Sequence, residues 1–107
     1  MLVKFSPQRA DKRLEYEFEP DIVKAKLYNG HEEEAELIGE DTFDFSDLED
    51  GEVEKDEEGN LLIETTLPEL PILHAERWDG ELAVIVRTYH DKNAPESERF
   101  PEPLEVE

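Results

Sequence analysis

Cysteine is absent from this 107-residue chain. Its absence excludes thiol catalysis, cysteine-ligated zinc, iron–sulfur clusters and a disulfide-stapled scaffold. Positive charge is scarce: 11 Lys and Arg stand against 31 Asp and Glu, a formal net charge of -20. A surface of that sign repels nucleic acid and anionic membranes, so neither is expected as a direct partner. It attracts a cation, or a basic patch on another protein. Long apolar runs are missing as well. Residues 1–13 hold no stretch suited to a signal peptide, and no segment has the length of a transmembrane helix. The chain is therefore expected to be cytoplasmic when made. The 5 glycines stand at turn-like positions, and no phosphate-binding loop, dinucleotide fingerprint or G-x-S-x-G elbow occurs.

Histidine gives little more. His31, His74 and His90 form no H-x-H or H-x-x-x-H pair, so no metal ligand set is read from them. The acidic string Asp47–Glu52 lacks the D-x-D-x-D-G spacing of a calcium loop. A glycosidase needs two particular carboxylates across a cleft, and in so acidic a chain any choice of two is arbitrary. No catalytic residue, cofactor or metal is expected, and the chain is read as a non-enzyme.

Alternation of apolar and polar residues is abundant. Leu14, Tyr16 and Phe18 share one face of a run whose other face is Glu15, Glu17 and Glu19. After Pro20-Asp21, Ile22–Tyr28 places Val23, Ala25 and Leu27 opposite Lys24 and Lys26. Paired as a hairpin, the two runs set glutamates against lysines. Asn29-Gly30 marks a second turn. His31–Ile38 is read as a returning strand, with a short helical passage as the alternative, and in either case with Ala35, Leu37 and Ile38 inward. Gly39-Glu40-Asp41 reads as a break, and Thr42–Ser46 as a strand with Phe43 and Phe45 inward. Leu2–Phe5 is expected to be an edge or opening strand closed by Ser6-Pro7, with Gln8–Arg13 a loop.

Residues 47–60 form an acidic excursion around Val53. Leu61–Leu67 is extended and ends at Pro68, with Pro71 closing a stiff crossing segment. The least acidic stretch follows. Ile72–Trp78 and Glu81–Tyr89 flank Asp79-Gly80, a dipeptide suited to a type I′ turn. A two-residue turn sets Trp78 opposite Glu81, Ala75 opposite Val84 and Leu73 opposite Val86. One face is then Leu73, Ala75, Leu82, Val84 and Val86. The other is Ile72, His74, Glu76, Trp78, Ala83 and Ile85, half apolar and in need of a cover.

The expected fold is all-β: a small antiparallel β-sandwich or partly closed barrel of six to eight short strands in meander-like order. Residues 1–90 make one domain, and 91–107 a Pro-rich acidic tail. Asn93-Ala94-Pro95-Glu96 suits one helical turn, and Phe100, Leu104 and Val106 suit apolar anchors. Trp78, Arg77, Tyr89 and Phe100 are the residue types that concentrate binding energy at protein interfaces, and they are the candidate contact residues.

Several short strings in order, KFSPQR, LEYEFE, TFDFSDL, IETTLP and PIL-AER-DGEL, resemble a group of short uncharacterised proteins. Tailed phages and prophages of Gram-positive bacteria encode that group near tail or structural genes. The resemblance covers Phe5 to about Pro101; residues 31–41 and 52–58 are longer and more acidic here. It implies a setting, phage tail or virion assembly, and carries no site. A non-enzymatic accessory or structural protein acting through protein–protein contacts is the leading expectation. Its partner would be a basic surface or a phage structural component, with incorporation into a virion. The alternatives are an acidic inhibitor that mimics nucleic acid, a small carbohydrate-binding or hydrolase-like β domain, and a homo-oligomer joined through residues 74–78.

Overall fold

Pro20 and Asp21 turn the chain between two alternating runs, and the sheet they start is the simplest part of the molecule. The computed structural model describes residues 1–58, 61–91, 95–96 and 101–106. Among these residues it forms eight strands: β1 (Leu2–Arg9), β2 (Arg13–Glu19), β3 (Ile22–Tyr28), β4 (Leu37–Asp44), β5 (Gly51–Glu52), β6 (Ile72–Trp78), β7 (Glu81–His90) and β8 (Leu104–Glu105). Asp21 takes φ 63° after the fixed negative φ of Pro20, the pattern of a type II turn. The expected β2–β3 register holds, with Glu15 opposite Lys26 and Glu17 opposite Lys24.

The strands form a β-sandwich, not a closed barrel. One sheet has the order β5-β6-β7-β1-β8 and the other β2-β3-β4. Their inner faces meet in a single core. Val3, Ile72, Ala75, Leu82, Val84 and Val86 come from the first sheet, and Val23, Ala25, Leu27 and Phe43 from the second. Each buried Val or Leu side chain contributes about 1.5–3 kcal/mol of transfer free energy, so this alternating pattern is the main source of stability. Phe5 meets Phe18 edge-on at 6.2 Å, and Tyr16 stacks on Phe18 at 5.6 Å. The Tyr16 hydroxyl donates to the carbonyl of Arg87 and ties the two sheets together.

Several expectations are corrected. β1 runs through Pro7 to Arg9, so Gln8 and Arg9 are strand, not loop. It pairs in parallel with β7, Leu2 with Ala83 through Arg9 with His90, so the order is mixed and not a meander. β8 covers the other side of β1 only at Leu2 and Val3. Among the described residues, Pro7 therefore lies on an open edge, where its missing N–H breaks no ladder. Residues 31–36 are neither strand nor helix. The loop is closed by Asn29, whose N–H donates to the Glu36 carbonyl at 3.0 Å. Arg13 pins the same loop, donating to the carbonyls of His31 and Glu32 at 3.1 and 2.8 Å.

β4 then passes straight through Gly39, Glu40 and Asp41. Gly39 is no break: a Cβ there would meet Leu67 Cδ2 at 3.3 Å, so the glycine admits the Leu67 side chain. Leu37 and Ile38, expected inward, are exposed. Among the described residues, Leu61–Leu67 forms no ladder beyond one bridge from Leu61 to Lys55. Its buried Leu61 and Leu67 close the side of the sandwich instead. Within the acidic excursion, β5 joins the edge of β6, Gly51 opposite Arg77 and Glu52 opposite Glu76. A bulge between Ile72 and His74 shifts the β6–β7 register. Ile72, not Leu73, therefore faces Val86 and enters the core. The tail docks on its own domain at its far end, where the Met1 ammonium donates to the Val106 carbonyl at 2.7 Å. Of the expected helical turn, Asn93 and Ala94 lie outside the described residues.

Candidate functional site

The Asp79-Gly80 turn adopts the expected I′ geometry, both residues at positive φ (53° and 82°). It holds Trp78 at the tip of the β6–β7 hairpin, on the outer face of the five-stranded sheet. The alternation of β6 sends His74, Glu76 and Trp78 to that face. The pairings then build a grid around them. Glu81 lies opposite Trp78, Ala83 opposite Glu76, and Ile85 opposite His74. Leu2 and Lys4 of β1 extend the rows beyond Ala83 and Ile85. Leu2, Ala83 and Ile85 are half-buried, and Trp78 is 58% exposed. Among the described residues, none of these four packs against the core cluster. The half-apolar face expected from the sequence is thus real, and none of these apolar residues belongs to the core cluster among the described residues.

Carboxylates surround Trp78. Its Nε1 donates to Glu76 Oε2 at 3.1 Å. Asp50 Oδ1 accepts the Gly80 N–H at 3.4 Å. Glu52 and Glu81 stand one strand to either side of β6. The Trp78 indole, and after it His74, hydrogen-bond the Glu76 carboxylate and hold it below the ordinary carboxylate range. Glu76 is thereby kept ionised beside the ring. An indole face within a rim of fixed anions is suited to receiving a cationic side chain.

The other candidates divide. Arg77 points the opposite way from Trp78, into the end of the sandwich. It donates from Nη2 to the Phe45 carbonyl at 2.8 Å and from Nη1 to the Gly80 carbonyl at 3.0 Å. Nη2 also pairs with Asp21 at 3.3 Å, and only 11% of the Arg77 side chain is exposed. Arg77 therefore spans the two sheets and offers nothing to a partner. Tyr89 sits at the far end of β7. Its hydroxyl donates to Glu69 Oε2 at 3.1 Å, and Lys12 lies 4.8 Å from the ring centroid. Desolvation and the neighbouring Glu69 push its phenol up. Phe100 lies outside the described residues. Of the three described candidates, Trp78 alone is placed on the outer face of the five-stranded sheet.

No family model, curated protein or solved structure matches the chain. The reading of the site rests on its own geometry.

Two other features bear on the alternatives. An open depression of about 810 Å³ on the three-stranded sheet is lined by Glu15, Tyr16, Glu17, Lys24, Ala25, Lys26, Glu40, Asp41 and Thr42. Its charged groups are cross-strand partners, Lys24 opposite Glu17 and Thr42, and Lys26 opposite Glu15 and Glu40. The Tyr16 hydroxyl is committed to Arg87, and desolvation raises it far above the ordinary phenol range. No helix among the described residues is long and apolar enough to cross a membrane. Sequence reasoning locates Trp78 from its place beside the turn. It misses the partners of Arg77, Asp21 and Phe45, which are distant in the chain and carry no local signal.

Proposed function

We propose that the protein is a non-enzymatic contact module that binds a basic protein segment on the outer face of its five-stranded sheet. One observation carries the reading: an indole 58% exposed, on an otherwise half-apolar face, rimmed by Asp50, Glu52, Glu76 and Glu81. A lysine or arginine set on Trp78 gains about 0.5–2 kcal/mol from the ring. The surrounding carboxylates speed and orient the encounter, and Leu2, Ala83 and Ile85 supply the apolar floor. The setting of phage tail or virion assembly is carried by the string resemblance alone.

The nucleic-acid mimic is less well supported. On the three-stranded sheet the outward carboxylates alternate with Lys24 and Lys26, which interrupts any stripe of phosphate-like charge. A homo-oligomer joined through residues 74–78 would set these carboxylates against one another, a repulsive arrangement.

The test is capture from a lysate of the source organism, with wild-type and Trp78→Ala chains side by side. The reading expects a partner with a basic surface that wild type retains, that Trp78→Ala loses, and that salt releases. A partner held equally by both chains would refute it, as would an interaction indifferent to salt.

A further inference from the structure

The register of β5 on β6 places Glu52 directly opposite Glu76. Two carboxylates in direct cross-strand opposition destabilise a sheet, and this pair sits in a chain of net charge -20. A cation between them offsets that cost. The side chain within reach of both carboxylates is His74, two residues before Glu76 and on the same face. Its Nε2 is 3.5 Å from Glu76 Oε2 and 3.9 Å from Glu52 Oε1.

We propose that Glu52, His74 and Glu76 form a binding site for one divalent transition-metal ion of the zinc type. Among the described residues, these three alone bring three or more such ligand atoms together, all within 4.8 Å of one another. Ligand atoms at zinc's tetrahedral distances lie about 3.4 Å apart, so the His74–Glu76 separation already fits. Glu52 is exposed and carried on a two-residue edge strand, and it closes the remainder by side-chain rotation. Trp78 Nε1 hydrogen-bonds the Glu76 carboxylate from outside the set, the kind of contact that orients a ligand before metal arrives. An imidazole with two carboxylates selects zinc, cobalt, nickel or copper over magnesium and calcium, which prefer all-oxygen sites. Two carboxylates and a neutral imidazole balance the charge of the ion. A fourth coordination position is left for water or for a donor from another molecule.

The site does not depend on the contact reading, because its test needs no partner. Full-length chain, freed of metal with a chelator, is titrated calorimetrically with zinc chloride in an excess of magnesium. The emission of Trp78, the single tryptophan, is followed in parallel. The site predicts one zinc ion per chain, undisplaced by magnesium, with a change in Trp78 emission that saturates at the same ratio. His74→Gln should weaken binding at least about tenfold, while His31 and His90 remain as internal controls. Glu52→Gln, at an exposed position that does not threaten folding, should weaken it as well. Equal competition by magnesium overturns the proposal, since that is the behaviour of loose ions on an acidic surface. So does unaltered zinc affinity in either variant, or zinc binding that leaves Trp78 emission unchanged.

Discussion

Replacing Arg77 by methionine keeps the aliphatic bulk of the side chain and removes every donor. The wild-type guanidinium makes a part-buried bond to the Phe45 carbonyl, an exposed bond to the Gly80 carbonyl and a pair with Asp21. A bond from a charged donor in a partly buried position contributes about 1.5 kcal/mol, and an exposed one about 0.5 kcal/mol. Asp21 is one-third exposed, so solvent screening limits that pair to about 0.5 kcal/mol. The Phe45 carbonyl retains a second donor, the Leu48 N–H at 3.0 Å, and no orphaned acceptor is added to the cost. The sum is about 2–3 kcal/mol, which for a domain of this size lowers the melting temperature by about 8–20 °C. Urea denaturation of Arg77→Met beside Trp78→Ala measures it. Truncating Trp78, more than half exposed and outside the core, should cost under about 1 kcal/mol. An Arg77→Met chain that melts with the wild type would refute this role for the guanidinium, and so would a Trp78→Ala chain that is the more damaged of the two.

Burial pushes the Asp41 carboxyl up, but hydrogen bonds from Thr66, Thr65 and Thr42 outweigh it and hold the group below its ordinary 3.8. A carboxyl lowered in the folded state adds stability that is full above the unfolded value and is lost as pH falls through the folded one. Its bonds are solvent-exposed, so after screening Asp41→Asn should cost about 0.5 kcal/mol near neutrality, with the gap to wild type narrowing below about pH 4. A gap that stays constant in acid denaturation curves would count against this role. Gly80 has φ 82° and open space where a Cβ would stand, so Gly80→Ala should cost about 1 kcal/mol through backbone strain alone. An unchanged urea midpoint would contradict that.

Local patterns carry the two hairpins. Alternation fixes the faces of β2 and β3, and Asp79-Gly80 fixes the tip of β6–β7, because both depend only on neighbours in the chain. What stays hidden depends on distant pairings. Pro7 reads as a stop because the open edge it occupies exists only once β1 lies beside β7. Gly39 reads as a break because its purpose, room for Leu67, comes from twenty-eight positions away in the sequence. Leu73 stands in for Ile72 because a bulge leaves no mark in an unbroken apolar run. For the candidate site, Trp78 is legible from its position beside a turn. Arg77 is not, because residue type does not reveal the carbonyls it reaches. The grouping of Glu52 with His74 and Glu76 requires the β5–β6 register, which a two-residue strand in an acidic loop does not announce.

The parallel pairing of β1 also sets an order of events at synthesis. Leu2–Arg9 is made long before its two neighbours, β7 and β8. β2, β3 and β4 have all their partners nearby and can pair as they emerge. Val3 and Phe5 must wait, unpaired, until Glu81–His90 arrives. Contacts so far apart in the chain close slowly, since loop entropy is lost before they form. Completion of the five-stranded sheet is thus a late and single event, and the outer face that carries Trp78 comes into being only then.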